Sequence, residues 1–284
     1  LRCSYCMPPE GLDWLPTEET LTDTEVVRLV RIGVERLGIR QVRFTGGEPL
    51  LRRGLEGIIE ACSHLRTDEG KPLDLALTTN ALGLAKRAQG LKDAGLNRVN
   101  ISLDSLDPEH FAAITRRDRL GDVLEGIEAA ARAGLSPIKV NALVLRGMNE
   151  ADLPDLVDYC LDRGIELRVI EQMPIGPADT WDRQNIMTAD EILHIMSTRH
   201  MLTPAPREDP HSPAGRWIVD GDPNKKLGVI ASVSAPFCGA CDRTRLTSDG
   251  MVRSCLFSTE ETSLRDLLRG GGDDAQIAAR WADA

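Results

Sequence analysis

The amino-acid sequence predicts an α/β fold, namely a partial (β/α)6 barrel of the TIM type followed by a small α+β region. Short apolar strands alternate with amphipathic helices at roughly 30-residue spacing, the size of a βαβ unit. Several of these strands carry polar residues on one face, and the repeat stops near residue 200. Five strands are recognisable, and we expect a sixth, the first strand of the barrel, to precede Leu1.

The first element is a helix, followed by a strand that leads into a glycine turn. Residues 22–25 form a typical helix start and Gly38 a typical helix end. Residues 41–45 then form a short strand that runs into Gly46-Gly47. Further strands are predicted at residues 73–79, 98–103, 138–145 and 166–171, and further helices at residues 55–65, 83–94, 108–115, 122–133, 152–163 and 189–199.

The polar strand faces favour a barrel over an open sheet. Asn100 and Ser102 share one face of their strand, and Lys139 and Asn141 share one face of the next. A parallel strand buried on both faces is normally apolar throughout. We therefore expect a splayed barrel whose interior holds a polar ligand, with an open doubly wound sheet as the alternative.

The pattern changes after residue 200, so we divide the chain into a barrel at residues 1–200 and a C-terminal region at residues 201–284. Residues 201–226 contain five prolines and are predicted to be a linker across the mouth of the barrel. We also expect short strands at 217–219, within this stretch, and at 227–232, and then a hairpin of 244–246 with 251–253. Two helices are expected after Ser263.

Composition excludes several classes of protein. The net charge of −10 argues against a general nucleic-acid or anionic-membrane surface. No apolar run approaches the ~20 residues of a membrane span, and no signal peptide is recognisable. Seven cysteines, an odd number clustered towards both ends, favour metal ligation in a reducing compartment over a disulfide framework. We therefore expect a cytoplasmic protein.

A Cys-x2-Cys motif opens the chain at Cys3 and Cys6, with Tyr5 between the two cysteines. By itself this motif is typical of a zinc site, a redox disulfide or an iron–sulfur site. One more cysteine four residues before Cys3 would give Cys-x3-Cys-x2-Cys, the spacing of the radical S-adenosylmethionine (SAM) enzymes. Because the sequence starts at Leu1 without methionine, we expect that ligand to precede it.

A second cysteine group, Cys238, Cys241 and Cys255, forms a Cys-x2-Cys-x13-Cys motif. Three thiols without an evident fourth ligand indicate a metal site with one open position, although His211 would complete a zinc site. Arg243 and Arg245 follow directly. Planar guanidinium groups suit phosphates and purine edges, so this segment is predicted to bind an anionic substrate.

Together these stretches resemble the GTP 3′,8-cyclase family of radical SAM enzymes, also called molybdenum cofactor biosynthesis protein A. The likeness runs from Leu1 to about Phe257. The motifs that carry it are Leu-Arg-Cys-Ser-Tyr-Cys-Met-Pro at 1–8, Val-Arg-Phe-Thr-Gly-Gly-Glu-Pro-Leu-Leu-Arg at 42–52, Leu-Thr-Thr-Asn at 77–80, Asn-Ile-Ser-Leu-Asp at 100–104, Lys-Val-Asn at 139–141, and the C-terminal cysteines with Arg-Thr-Arg.

The resemblance implies a set of binding residues around two [4Fe–4S] clusters. Cys3 and Cys6 would ligate the cluster that cleaves SAM. The SAM contacts would be Tyr5, Gly47, Ser102 and Met173. Cys238, Cys241 and Cys255 would hold an auxiliary cluster whose free iron meets guanine. The GTP contacts would be Arg43, Thr78, Lys139, Arg243, Thr244 and Arg245, with Arg168 near the triphosphate.

The implied reaction converts GTP to 3′,8-cyclo-7,8-dihydro-GTP, the first step of molybdenum cofactor biosynthesis. The implied partners are an external electron donor and cyclic pyranopterin monophosphate synthase, which acts next. The oligomeric state is left open, with a homodimer as one alternative. Residues 1–284 lack one SAM-cluster cysteine and the Gly-Gly tail of the family, so we expect this segment alone to be inactive.

Two other functions compete with this interpretation. One is a different radical SAM enzyme, for example a peptide-modifying one, which would usually need more C-terminal cysteines and gives the Arg pair no anion to bind. The other is a non-enzymatic scaffold that carries zinc or an iron–sulfur cluster, which gives no reason for a polar barrel interior.

Overall fold

The protein has an α/β fold built on a mostly parallel central sheet, and the computed structural model describes residues 1–176 and 181–284. The strands of the central sheet are β1 (Gln41–Phe44), β2 (Asp74–Thr79), β3 (Arg98–Ser102), β4 (Ile138–Leu143), β5 (Glu166–Ile170), β6 (Leu202–Pro204), β7 (Gly215–Val219) and β8 (Asp222–Ile230). The helices that accompany them are α1 (Asp23–Leu37), α2 (Leu55–Ser63), α3 (Leu84–Asp93), α4 (Pro108–Thr115), α5 (Leu120–Arg132), α6 (Leu153–Asp162) and α7 (Ala189–Met196).

The order of the strands in the sheet is β1-β2-β3-β4-β5-β8-β7-β6. Strands β1 to β5 run parallel in chain order, and β8 adds to β5 as a further parallel strand. All five strands expected from the repeat are confirmed. The sixth parallel strand of this sheet, however, comes from residues that we had assigned to the C-terminal region. The division at residue 200 stays a prediction.

The prediction of a linker at residues 201–226 is wrong. These residues contribute β6, β7 and the start of β8, which form the antiparallel end of the sheet. Pro204 is tolerated because β6 is the edge strand, where a missing N–H costs no ladder hydrogen bond. Asp220 and Gly221 join β7 to β8 with φ of 52° and 74°, the pair of positive values that a tight hairpin turn requires.

A second, smaller sheet follows. Its strands are β9 (Arg245–Leu246), β10 (Met251–Arg253) and β11 (Thr262–Ser263), and two helices, α8 (Arg265–Arg269) and α9 (Asp274–Ala282), come after it. Strand β10 pairs antiparallel with both β9 and β11. The predicted hairpin and the two late helices are therefore confirmed.

Reciprocal capping boxes fix the starts of three helices. Thr22 and Glu25 form a reciprocal capping box at α1, and Gly38 ends that helix in the left-handed conformation with φ of 69°. Thr188 with Glu191 caps α7 in the same way. At α9 the capping pair is Asp273 with Gln276. These contacts satisfy N–H groups that a helix cannot pair internally.

Strand alternation separates an apolar layer from a polar interior. Val99 and Ile101 of β3 and Val140 of β4 are fully buried in the main core against the helices. Asn100 and Lys139 point to the other face and are buried as well. The expected polar face is thus present inside the molecule. No helix in the described part of the chain is both long and apolar enough to cross a membrane.

A smaller core joins the end of the chain to its first helix. Trp281 of α9 is 7% exposed and belongs to a cluster with Leu29 and Ile32 of α1, Leu264 and Ile277. Its indole Nε1 also donates to Thr244 Oγ1 over 3.0 Å. The C-terminal helix therefore supports the segment that precedes β9.

We expect Trp281→Ala to lower the free energy of unfolding by about 3–5 kcal/mol, the usual cost of removing a buried indole. The matched control is Trp14→Ala. Trp14 is 83% exposed, so its removal should change stability by less than about 0.5 kcal/mol. Chemical denaturation of both variants makes the comparison, and equal losses would show that α9 does not depend on this core.

Candidate functional site

The segment that carries Cys3 and Cys6 is a tight turn held against helix α4. The N–H groups of Cys6 and Met7 both donate to the carbonyl of Cys3 over 3.1 Å. Ser4 N–H donates to the carbonyl of Ile114 at the end of α4. This turn places the two thiols close enough for each to change the acidity of the other.

Tyr5 connects this turn to the central sheet through Asp104. The Tyr5 hydroxyl donates to Asp104 Oδ2 over 2.9 Å, and Leu143 N–H donates to Asp104 Oδ1 over 2.9 Å. Burial raises the pKa of Asp104 to about 6. Asp104 thereby joins the cysteine turn to the carboxyl ends of β3 and β4.

The two thiols differ in acidity. The hydrogen bond from Cys3 lowers the pKa of Cys6 to about 7, and the same contact raises the pKa of Cys3. Thiolate is the form that ligates metals. Cys6 is therefore prepared to act as a ligand at neutral pH.

A cavity of about 190 Å³ opens beside this turn. Its walls include Cys3, Tyr5, Cys6, Gly47, Thr78 and Ser102. A Cβ atom added at Gly46 or Gly47 would meet nothing within 4 Å, so the glycine turn borders open space. Two thiols next to free volume fit an iron–sulfur cluster with a small ligand beside it.

Glu48 fixes the glycine turn at the edge of this cavity. Its carboxylate accepts hydrogen bonds from the N–H of Leu50 and Asn80 and from the hydroxyl of Thr79. The turn after β1 is thereby tied to the end of β2, and the backbone of Gly47 is held at the cavity wall.

Met173 does not line the cavity but lies on the segment that follows β5. That segment reaches the cysteine turn at Gly176, where an added Cβ would be 2.4 Å from the carbonyl oxygen of Tyr5. Only glycine fits such an approach, and the φ of 111° also requires it.

Charged side chains fill part of the interior, three of them at the amino ends of β2, β3 and β5. Glu166 accepts from Arg168 Nε over 2.8 Å, and its other oxygen lies 3.4 Å from Lys139 Nζ and 3.3 Å from Arg216 Nη2. Beside them, Arg98 pairs with Asp74 over 2.7 Å. We call the residues Arg43, Asp74, Arg98, Lys139, Glu166, Arg168 and Arg216 the interior charge cluster.

The cations of this cluster are poorly hydrated. Burial, together with repulsion from the neighbouring Arg168, lowers the pKa of Lys139 to about 8. Burial also lowers the pKa of Arg43 to about 10, with Arg98, Arg168 and Arg243 adding repulsion. Five basic side chains face two acidic ones, so the cluster carries excess positive charge that a polyanion would neutralise.

Arg243 and Arg245 lie near Cys241, one of the three C-terminal cysteines. Arg243 Nε donates to Cys241 Sγ over 3.3 Å, and its guanidinium lies 5.0 Å from the ring centre of Phe237. Burial lowers the pKa of Arg245, and its Nη1 is buried without a hydrogen-bond partner in the described structure. Arg245 lies on β9, whereas Arg243 precedes that strand.

The three C-terminal cysteines are exposed free thiols. The charges of Cys241 and Cys255 both act on Arg245, so these two lie near the same guanidinium. Within residues 1–176 and 181–284, however, no three His, Cys, Asp or Glu side chains are close enough together to hold a metal ion. His211 instead places Nδ1 2.8 Å from the carbonyl of Ala240. An auxiliary cluster at these cysteines stays a prediction.

Sequence reasoning missed several charged residues of this region, among them Asp74. Arg98 and Glu166 lie two residues before Asn100 and Arg168 on the same strand faces, so strand alternation contained the signal. Arg216 lies just before the strand predicted at 217–219, which in the structure begins at Gly215. Glu171 directly follows β5 and carried no motif.

Glu171 is a fully buried acid that joins three parts of the chain. It accepts hydrogen bonds from Ala189 N–H at the start of α7 and from the N–H groups of Val233 and Ser234 over 2.7, 2.8 and 2.9 Å. The hydroxyl of Ser234 donates to it as well. The segment that leads from β8 to Cys238 is therefore anchored at the end of β5.

Comparison with family models divides the chain into two matched parts. Residues 1–160 match the radical SAM superfamily. Residues 165–284 match the family described as Molybdenum Cofactor Synthesis C.

Curated relatives resemble the chain over its whole length. A GTP 3′,8-cyclase of Corynebacterium glutamicum is 56% identical over 288 residues, covering 100% of this chain and 76% of that protein. A GTP 3′,8-cyclase of Mycolicibacterium smegmatis is 56% identical over 287 residues, covering 100% of this chain and 78% of that protein.

Among solved structures, Streptococcus suis SuiB bound to S-adenosylmethionine matches with a TM-score of 0.63 at 14% identity. The match covers 99% of this chain and 64% of SuiB. At this identity the likeness concerns the fold alone.

We expect Glu171→Gln to lower the free energy of unfolding by about 3 kcal/mol, because its new amide would face backbone N–H groups that lose their acceptor. Hydrogen exchange should also speed up at Val233 and Ser234. The control is Glu208→Gln, whose 61% exposed side chain pairs with Arg216 and Lys226 and should cost less than about 1 kcal/mol. Unchanged exchange at residues 233–234 would contradict the anchoring role.

Proposed function

The chain belongs to the GTP 3′,8-cyclase family of the radical SAM superfamily, and from that premise we propose that it converts GTP to 3′,8-cyclo-7,8-dihydro-GTP. This conversion is the first step of molybdenum cofactor biosynthesis. The observation that carries the proposal is the arrangement along β3. Ser102 borders the cavity of the thiols at the carboxyl end, whereas Arg98 belongs to the interior charge cluster at the amino end. If a nucleoside triphosphate bound between them, its phosphates would contact the cations and its sugar would face the cavity beside the thiols.

The family implies a [4Fe–4S] cluster and SAM. We assign cluster ligation to Cys3 and Cys6, whose thiols are adjacent and of which Cys6 is already acidified. Tyr5, Gly47 and Ser102 border the same cavity and are proposed SAM contacts. Met173 is a proposed contact from the segment after β5. When bound, the reduced cluster and SAM supply the one-electron chemistry that starts the reaction.

The substrate is proposed to bind to Arg43, Thr78, Lys139, Arg243, Thr244 and Arg245. Arg43 and Lys139 belong to the interior charge cluster, and Arg243 is close enough to Arg43 for their charges to interact. These side chains would neutralise the phosphates. Thr244 accepts from the buried indole of Trp281, which orients the segment.

An auxiliary [4Fe–4S] cluster at Cys238, Cys241 and Cys255 is part of the proposal because three free thiols, with no further cysteine beside them in sequence, match the donor set of such a cluster. Binding it requires the three thiols to move together.

The finer architecture belongs to the same proposal. We propose that the central sheet curves into a partial barrel of the TIM type, with a small C-terminal region that binds the auxiliary cluster. The proposed partners are an external electron donor and, downstream, cyclic pyranopterin monophosphate synthase, with a homodimer as a proposed assembly. Free cysteines and oxygen-sensitive clusters suit the cytoplasm.

Anaerobic reconstitution tests the function. The complete protein is loaded with iron and sulfide, reduced, and given SAM with GTP or with ATP. We expect 5′-deoxyadenosine and a cyclised nucleotide with GTP only, since the proposed site is specific for a guanine nucleotide. SAM cleavage that ignores the nucleotide, with no cyclised product, would refute the proposal.

The affinity for GTP should depend on the protonation of Lys139, whose pKa is lowered to about 8. Below that pH the ammonium form binds phosphate. As the pH rises through about 8 the proton is lost, so GTP affinity should fall between roughly pH 7 and 9.5.

Lys139→Arg should flatten this profile, because guanidinium keeps its charge throughout the range. The control is Lys71→Arg, since Lys71 is an exposed surface residue whose charge should not matter. Titrating GTP binding at several pH values makes the measurement. Parallel profiles for the wild type and Lys139→Arg would contradict the role of Lys139.

A further inference from the structure

Asn100 has an unsatisfied polar atom inside the molecule. Its side chain is 3% exposed, and no donor in the described structure lies within hydrogen-bonding distance of its Oδ1. A buried carbonyl oxygen without a partner is costly, and native proteins rarely leave one unpaired. Such an atom is expected where a ligand supplies the missing donor.

The strand register shows what surrounds this atom. Asn100 lies opposite Thr78 of β2 and Lys139 of β4. Both neighbours are proposed to bind GTP. The amide therefore lies in a row of side chains that faces the interior and connects two substrate contacts.

The level of Asn100 along β3 points to one part of the substrate. Arg98, Asn100 and Ser102 share one strand face, and alternate residues are about 7 Å apart. Arg98 belongs to the interior charge cluster, whose Lys139 lies opposite Asn100, and Ser102 borders the cavity beside the thiols. Asn100 lies midway between them. A nucleotide that places its phosphates on the cations and its sugar towards the thiol cavity, as proposed above, brings its ribose to this level, and the ribose hydroxyl groups are donors.

From this position we propose that Asn100 binds the substrate, with its amide oxygen accepting a hydrogen bond from a ribose hydroxyl of GTP. The inference rests on the proposed function. It adds a residue that fixes the orientation of the sugar, and with it which ribose carbon faces the SAM side of the interior.

A buried asparagine with a full set of partners provides the contrast. Asn149 accepts from Leu145 N–H over 2.8 Å and donates to the carbonyls of Asp104 and Leu143 over 2.7 and 3.0 Å. The fold therefore supplies hydrogen-bond partners for both the oxygen and the nitrogen of the Asn149 amide. The amide oxygen of Asn100 has no such explanation within the described chain.

Asn100→Leu separates a ligand contact from a structural one. Leucine has a similar volume and leaves no orphaned oxygen, so the variant should unfold at the same or a higher denaturant concentration than the wild type. Asn149→Leu should unfold at a lower one, because three hydrogen bonds are lost. If Asn100→Leu does not fold, Asn100→Ala carries the same binding comparison.

Binding is measured anaerobically on the cluster-loaded complete protein with GTP, 2′-deoxy-GTP, 3′-deoxy-GTP and ITP, which lacks the exocyclic amino group. Asn100→Leu should bind GTP roughly 5- to 100-fold more weakly than the wild type. The wild type should discriminate against one deoxy analogue by a similar factor, and the variant should not. Both proteins should show the same ratio of ITP to GTP affinity.

Other results would overturn the inference in distinguishable ways. If the wild type binds GTP and Asn100→Leu binds it equally well, only the role of Asn100 fails. If the variant instead loses affinity for SAM, or loses only the preference for GTP over ITP, the ribose contact is wrong. A wild type that does not bind GTP at all overturns the proposed function together with this inference.

Discussion

The structure depends on one geometric constraint, the period of two in a β-strand. Every parallel strand of the central sheet must present one face to the helices, and that face is packed with side chains such as Val99 and Val140. The opposite faces of the strands therefore converge on a common interior. Polar residues on that side, among them Asn100 and Lys139, are buried without being part of the apolar core. The polar site therefore forms because the sheet faces that do not pack on helices enclose a common interior.

Burying so many charges is expensive, and the interior contains its own partial compensation. Glu166 contacts Lys139, Arg168 and Arg216, while Asp74 contacts Arg98. Each carboxylate reduces the electrostatic repulsion among the neighbouring cations, yet the positive charges remain in excess. A site of this kind is stable when empty and still attracts a polyanion, because the ligand supplies the countercharge that the protein leaves out.

Sequence patterns predicted the parts of the fold that depend on local periodicity. The five strands from β1 to β5 and the hairpin of β9 and β10 follow from alternation and turn residues. The strands at residues 202–230 were not all recognised, because prolines suggested a linker and long-range pairing has no local signature. In the site, motifs brought out Cys3, Tyr5 and Gly47, which do share one cavity. Residues such as Glu171, whose role is to receive backbone N–H groups from distant segments, are invisible without the fold.

The attachment at Glu171 has an evolutionary corollary. Three of its four hydrogen bonds come from main-chain N–H groups, which every residue except proline supplies. Substitutions at positions 189 and 233 are therefore compatible with these hydrogen bonds unless they introduce proline. A substitution of Glu171, in contrast, removes the acceptor. A strong constraint at one position would then coexist with tolerance at the positions it touches, so pairwise covariation would fail to reveal the contact.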